Sequence, residues 1–213
     1  MQASNLRTPA LIVTILAWAV LATTLLSALA QAVWLVSYSQ MSESPIMLGV
    51  AAIATLTSNI AYPISIIAVL VWIYLAHANL HRAGLPGLNF SPAWATFSFF
   101  VPVMNLFVPF RAMRELANRS AGEPEELAEA DVEDVFAWWG CWIGSMVVGL
   151  FLLYTVVVTL IPGLFLTTPF WATQVLVILG NTLTAGAAFF LIKVVKQVTQ
   201  NQLEGHGAVA AFE

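Results

Sequence analysis

Two long stretches without a charged residue constrain what this chain can fold into. Residues 8–42 contain no Asp, Glu, Lys or Arg, and neither do residues 135–192. A helix that crosses a bilayer needs roughly 20 apolar residues, so each stretch can supply at least one crossing. Only 8% of the whole chain is charged, whereas soluble proteins average about 25%. The sequence therefore predicts an all-α integral membrane protein.

The apolar segments divide into spanning helices at turn signals. The second charge-free stretch is too long for one helix, and it contains the breakers Pro162-Gly163 and Thr167-Thr168-Pro169. Such clusters end helices because proline lacks an amide donor and restricts the residue before it. We predict a single membrane domain over residues 1–213, with four spans at about 10–37, 46–76, 135–160 and 170–192.

The basic residues predict the orientation. With four spans, the N-terminus, the connection 77–134 and the tail 197–213 share one side of the membrane. All seven Lys and Arg lie in or beside these segments, and none lies in the two opposite loops. They are Arg7, Arg82, Arg111, Arg114, Arg119, Lys193 and Lys196. Because basic loops stay cytoplasmic, we expect cytoplasmic termini. A fifth span at 91–110 would move three arginines outside, so we reject it.

Residues 84–110 are uncharged and aromatic although we expect them not to cross. Pro102 and Pro109 would each break a straight helix. Two alternatives remain open: a helix lying on the cytoplasmic leaflet, or a re-entrant hairpin whose irregular backbone is satisfied by protein or water. After this segment, residues 106–119 are predicted to form an amphipathic helix. Its apolar face would carry Leu106, Phe110, Met113 and Leu116.

The acidic run and the C-terminal tail lead to simpler predictions. The acidic run from Glu123 to Asp134 contains Glu123-Pro124-Glu125-Glu126, and proline and acids favour a helix N-terminus. We therefore expect a solvated extension of the third span. The tail is polar and then rich in Gly and Ala, so its end is expected to be loose. The net charge of −4 comes from the acidic cluster and indicates no nucleic-acid partner.

The patterned part of the connection is the predicted site. Arginines beside an aromatic segment suit lipid phosphates, although positive-inside anchoring explains them as well. Asparagines near prolines can line a pocket or simply bond the backbone groups that proline frees. The predicted ligand- or lipid-binding residues are Asn79, Arg82, Trp94, Asn105, Arg111, Arg114 and Arg119. The residues predicted to shape the motif are Pro92, Pro102, Pro109 and Glu115.

Two histidines at the end of the second span are the weakest candidates for chemistry. His77 and His81 are four residues apart and share a helix face. A catalytic zinc needs a third protein ligand, which Glu115 would have to supply. Anchoring of the helix end at the interface explains both histidines, so we predict no metal and no cofactor. The single cysteine excludes an intramolecular disulfide.

A run of motifs through the centre carries a family resemblance. The residues are Trp72, Tyr74, Asn79-Leu80, Gly84, Phe90-Ser-Pro92-x-Trp94-Ala95, Phe100-x-Pro102-x-x-Asn105-Leu106-x-x-Pro109-Phe110, Met113-Arg114-Glu115-Leu116, Trp138-Trp139 and Val194-Val-Lys196-Gln-Val-Thr-x-x-Gln202. Over about residues 50–202 the chain resembles the bacterial membrane family catalogued as domain of unknown function 4328. Phe107 and Phe110 depart from it, since the family often has Trp and Tyr there. The resemblance implies a multi-pass protein of the bacterial inner membrane and supplies no substrate.

Three functions remain in order of preference. The first is a non-enzymatic accessory or scaffold protein that binds membrane lipids or a membrane partner through residues 77–119, as a monomer or a homo-oligomer. The second is an oligomeric channel or transporter whose 91–110 segment lines the path. The third is a lipid-modifying or metal enzyme that uses His77, His81 and Glu115. No charged residue lies in mid-span, and that absence disfavours a proton-driven pump.

Overall fold

The structure, a computed structural model, describes residues 5–37, 45–161 and 168–210, and within these ranges it is helical without strands. Short 3₁₀ turns occur at 98–100, 104–106 and 125–127. In chain order the α-helices are α1 (Arg7–Val36), α2 (Pro45–Arg82), α3 (Pro92–Phe97), α4 (Val108–Ser120), α5 (Glu133–Thr159) and α6 (Phe170–Ala210).

The four predicted spans are confirmed as helices α1, α2, α5 and α6. Each is long and apolar enough to cross a bilayer, and each exposes large apolar side chains, as a lipid-facing surface requires. The two predicted loops on the other side of the membrane, near residues 38–45 and 161–169, fall mainly on residues 38–44 and 162–167, which are outside the described ranges. The predicted Pro162-Gly163 turn therefore lies outside the described residues.

The last helix continues past the predicted end of the fourth span. The prediction ended at residue 192, before Lys193 and Lys196, but α6 runs to Ala210. Val194 and Val195 are buried between those lysines, and Val198 is buried beyond them. Their spacing continues the helical period, so the packing face extends although charges appear on the opposite face.

The four long helices form an open arc in the order α2, α1, α6, α5. α1 packs along both α2 and α6, and α5 packs along α6, whereas the outer helices α2 and α5 do not pack along each other. Small residues allow close approach where α1 meets α6, as at Ala17 and Ala188. The arc therefore leaves a gap between α2 and α5.

The connection 77–134 folds back onto one end of this arc, which we call the basic end. α3 packs on α2, and α4 contacts α2, α5 and α6. The predicted amphipathic helix is confirmed with a later start, because it begins at Val108 and leaves Leu106 partly exposed in the preceding turn. Pro109 lies in the first turn of α4, where a missing amide donor costs little. Met113 and Leu116 form the buried face.

Candidate functional site

Glu115 is a buried carboxylate that holds the loop between α2 and α3. Only 1% of its surface is exposed. One carboxylate oxygen accepts from the Asn89 amide at 2.6 Å and the other from the Phe90 amide at 3.2 Å. The His81 ring donates to the Phe90 carbonyl at 3.0 Å. The same loop segment is thus fixed from α4 and from α2.

Burial raises the pKa of Glu115 above its ordinary value of 4.5, and the two backbone hydrogen bonds partly offset that rise. The cause is the loss of hydration around the ionised form. Glu115 was predicted to shape the motif. The structure places it on backbone amides, in a clasp that shapes the loop.

Arg119 is a buried side chain that binds backbone carbonyls of the connection. Its guanidinium donates to the carbonyls of Pro86, at 2.9 Å, and Glu123. The side chain is 8% exposed. An arginine in this position bridges the loop before α3 to the turn after α4. Its predicted role in binding lipid phosphates does not fit this burial, because the guanidinium donates to two backbone carbonyls of the connection.

Arg111 and Arg114 face the acidic run. Arg111 holds Glu129 with two hydrogen bonds of 3.0 and 2.7 Å, and Arg114 donates to Asp131 at 2.7 Å. This fork geometry gives a guanidinium its strongest carboxylate contact. The pairing lowers the pKa of Glu129 below 4.5 and raises that of Arg111. Arg114 also lies 4.7 Å from the centre of the Phe110 ring.

The expectation for the acidic run is therefore corrected. α5 begins only at Glu133, and the residues before it fold back over α4 rather than extending the third span. Asn118 fixes this fold, because its amide donates to the carbonyls of Ala128 at 3.1 Å and Ala130 at 2.9 Å. The acids thereby reach the arginines of α4, which are close in space but 17 and 18 residues distant in sequence.

Asn79 and Arg82 lie together at the end of α2. Arg82 donates to the Asn79 side chain at 3.2 Å, and Asn79 donates to Gln202 of α6 at 3.3 Å. Gln202 in turn donates to the Ala76 carbonyl at 3.2 Å and to Ser120 at 2.9 Å. This buried network ties α2, α4 and α6 together. Asn79 is thus a helix-joining residue, and Arg82 is the exposed arginine beside it.

Sequence reasoning missed the α6 side of this network. Gln202 and Thr199 were assigned to a polar tail, but both are buried, and Thr199 accepts from the Trp72 indole at 3.2 Å. A signal was available in the spacing of Val195, Thr199 and Gln202, which continues the buried face of the preceding span. Asn118 and the acids of the run were missed for a different reason, since their partners are set by the fold.

His77, His81 and Glu115 are not arranged as a metal site. Among residues 5–37, 45–161 and 168–210, no three His, Cys, Asp or Glu side chains are grouped to hold a metal. The His81 Nε2 atom bonds the Phe90 carbonyl, and both carboxylate oxygens of Glu115 accept from backbone amides. His77 is 1% exposed and inside the packed end of α2.

The remaining predicted residues belong to an apolar part of the connection. We call residues 97–107 the aromatic loop, which follows α3. Trp94 is exposed on α3, and the Asn105 amide oxygen is shielded inside the loop, with no hydrogen-bond partner in the described part of the chain. Large apolar side chains along the loop are exposed. They are Phe97, Phe100, Val101, Val103, Met104, Leu106 and Phe107.

The tip of the aromatic loop is a strained turn. Val103 has φ of 69°, and the Met104 amide donates to the Pro102 carbonyl at 2.8 Å, which closes a three-residue turn. A β-branched residue at positive φ is a genuine outlier. Pro92 and the Ser91 side chain begin α3 at the base of this loop. Pro92 thus lies at the first position of α3, and the Pro102 carbonyl closes the turn at Val103.

The base of the aromatic loop packs on a row of tryptophans in α5. The Phe99 ring meets Trp142 edge-on at 6.3 Å, Trp142 stacks on Trp139 at 4.8 Å, and Trp139 stacks on Phe110 at 6.3 Å. Aromatic pairs at these separations are attractive beyond their burial. The loop is therefore held on one side by α5 while its apolar tip remains exposed.

These features can be set against known proteins. No curated protein and no solved structure matches the chain. Residues 46–200 match the family described as Domain of unknown function (DUF4328). That range contains the clasp at Glu115, the aromatic loop and the α2–α6 network except for Gln202. The chain therefore belongs to this family of unknown function.

Proposed function

We propose that this is a non-enzymatic accessory protein of the bacterial inner membrane, which binds lipid or a membrane partner through the aromatic loop. The observation that carries the proposal is the exposure of seven large apolar side chains on residues 97–107. A contiguous apolar surface of this kind marks an interaction site. The positive-inside rule places the basic end, and with it the loop, on the cytoplasmic side.

The depth of the loop supports contact within the membrane. Asp134 pairs with Lys193 where α5 and α6 leave the apolar region. Trp142 lies eight residues further along α5, about 12 Å away at the rise of an α-helix. Phe99 packs on Trp142, so the loop reaches below the charged boundary. Half the hydrocarbon core is about 15 Å thick, which makes the loop a partial insertion.

The arginines take a different role in this proposal from the predicted one. Arg111, Arg114 and Arg119 bind carboxylates and carbonyls of the connection itself. They fix the parts of the connection around α4, namely the loop before α3 and the acidic run, and the Phe99–Trp142 contact holds the base of the aromatic loop on α5. A preorganised apolar surface binds more tightly than a flexible one, because less conformational entropy is lost on binding.

Depth-dependent quenching tests the insertion. With Cys141→Ala as background, a fluorophore on Phe100→Cys or Phe107→Cys should be quenched by nitroxides placed on lipid acyl chains. The control is Glu126→Cys, an exposed acid of the same connection, which should respond to an aqueous quencher only. Identical aqueous quenching at all three positions would contradict the insertion.

Native mass spectrometry of protein released from nanodiscs tests the binding function. We expect the wild type to retain a defined lipid or a second subunit, and the triple variant Phe97→Ser, Phe100→Ser, Phe107→Ser to lose it. Leu127→Ser, on an exposed residue of the connection outside the loop, is the control. Release of the wild type as a bare monomer would refute the proposal.

A further inference from the structure

The gap between the outer helices α2 and α5 contains a cavity inside the spanning region. Its volume is about 270 Å³, and Phe99 and Phe100 close it toward the basic end. A second cavity of about 420 Å³ adjoins it, sharing walls that include Val20, Tyr62 and Trp142. Together they form one cleft along the helices, in the size range of about 300–1,000 Å³ typical of ligand pockets.

The three hydroxyls that line the first cavity already have hydrogen-bond partners. Those of Ser65, Ser145 and Thr184 each donate to a carbonyl of their own helix, at 2.6, 2.8 and 2.9 Å. The other lining residues are mainly aliphatic and aromatic. A water or a polar solute needs two to four polar partners to remain in such a space. The lining therefore favours an occupant that forms no hydrogen bonds.

The cleft has a buried inner wall and an exposed rim. Ala17, Val20 and Ala188 form part of the inner wall and are less than 9% exposed. Ile66 and Phe100, on the outer side, are 41% and 67% exposed. The cleft therefore opens sideways, at the level of the spanning helices, where the surrounding medium is lipid hydrocarbon.

We propose that this cleft is a binding site for one hydrocarbon chain of a membrane lipid. The chain would enter between α2 and α5 and lie against the tryptophans of α5, with Phe99 and Phe100 limiting it at the basic end. Dispersion contacts and apolar burial provide the binding energy, since the occupant gives up no hydrogen bonds. The site lies within the bundle, so it does not depend on the aromatic loop binding a partner.

Photo-labelling of the full-length protein in detergent tests the site. The probe is palmitic acid with a diazirine at mid-chain, and the competitor is unlabelled palmitic acid. We expect saturable adducts on Tyr62 and Trp142 that the competitor removes. Ser145→Phe fills the cleft from α5 and should lower this labelling about tenfold, since two or more methylene groups lose their place. Val147→Phe adds the same ring at a 57% exposed position of α5 and should leave the labelling unchanged.

The outcomes separate specific binding from general contact with apolar surface. Labelling that does not saturate, or that follows exposure along all four long helices, would overturn the proposal. Equal labelling of Ser145→Phe and Val147→Phe would overturn it too. If Ser145→Phe fails to fold, Thr184→Leu fills the cleft from α6, and the saturation and competition of the wild type decide the result without any variant. Loss of partner binding in a Phe97→Ser, Phe107→Ser variant, which keeps the lining residue Phe100, would not change these results.

Discussion

Removing the Glu115 carboxylate tests whether the connection is a folded cap or a loose loop. In Glu115→Ala the amides of Asn89 and Phe90 lose their acceptors. A buried donor without a partner costs about 1–3 kcal/mol. The Asn89 amide lies nearer to solvent and can bind water instead, so we expect the free energy of unfolding to fall by about 2–4 kcal/mol in total.

Glu115→Gln separates hydrogen bonding from side-chain volume. The amide keeps one acceptor oxygen but turns a donor toward the second backbone amide. One donor is left without a partner, and we expect a loss of about 1–3 kcal/mol, smaller than that of the alanine variant. Glu126→Gln is the matched control, because Glu126 is an exposed acid of the same connection, and it should change stability by less than about 0.5 kcal/mol.

Two measurements check this ranking. Denaturant titration in mixed micelles gives the free energy of unfolding, and trypsin cleavage after Arg82 reports local release of the following loop. Cleavage should speed up in the order wild type, glutamine variant, alanine variant. If Glu115→Ala behaves like Glu126→Gln in both assays, the clasp does not hold the loop and the reasoning is wrong.

The pH dependence supplies an independent check on the same residue. Burial raises the folded-state pKa of Glu115 above 4.5, so the folded protein keeps the proton to a higher pH than the unfolded chain does. The proton-linked part of the stability is therefore fully present below pH 4.5 and is lost as the pH rises through the raised pKa, whereas the hydrogen bonds to Asn89 and Phe90 form a separate contribution. Glu115→Gln should remove this component from the stability profile, whereas an unchanged profile would contradict the assignment.

Three further predictions follow from contacts of the described residues. Pairing with Arg111 lowers the pKa of Glu129 below 4.5, so the stability from this pair should be lost as the pH falls through that lowered pKa. A double-mutant cycle with Arg111→Gln and Glu129→Gln should give a coupling energy of at most about 1 kcal/mol, because the pair is exposed. Asn118→Ala leaves two carbonyls of the acidic run without a donor, and should cost about 1–3 kcal/mol and speed Glu-specific proteolysis of that run. A Cβ on Gly186 would lie 2.9 Å from the Cys141 sulfur, so Gly186→Ala should cost about 1–3 kcal/mol in unfolding assays, and Cys141→Ala should restore most of it.

The spans could be predicted because the bilayer imposes a length and a composition that the sequence must display. No comparable rule fixes where a spanning helix ends once it leaves the hydrocarbon. The lysines at 193 and 196 indicated an end, yet α6 continues, because its buried face still packs on α2 and α4 through Val198 and Gln202. A charge on one face of a helix does not end the helix.

The sequence indicated that the connection is a specialised segment, but not which contacts its charged residues make. The stretch from Asn79 to Arg119 was recognised as unusual, and the structure uses it to build the connection. The roles of Arg111 and Arg114 depend on Glu129 and Asp131, whose approach is set by Asn118 and the turn after α4. Partner choice among charges distant in sequence is a property of the tertiary fold, so spacing alone favoured lipid phosphates.

The distribution of satisfied polar groups indicates what kind of ligand this protein can bind. Guanidinium and carboxylate groups of the connection bind one another and the backbone, as Arg119 and Glu115 do. The cleft hydroxyls bond their own helices. The large side chains that the aromatic loop exposes, and most of those that line the cleft, are apolar. Because apolar burial would supply the binding energy at both surfaces, hydrocarbon is the ligand we propose for both.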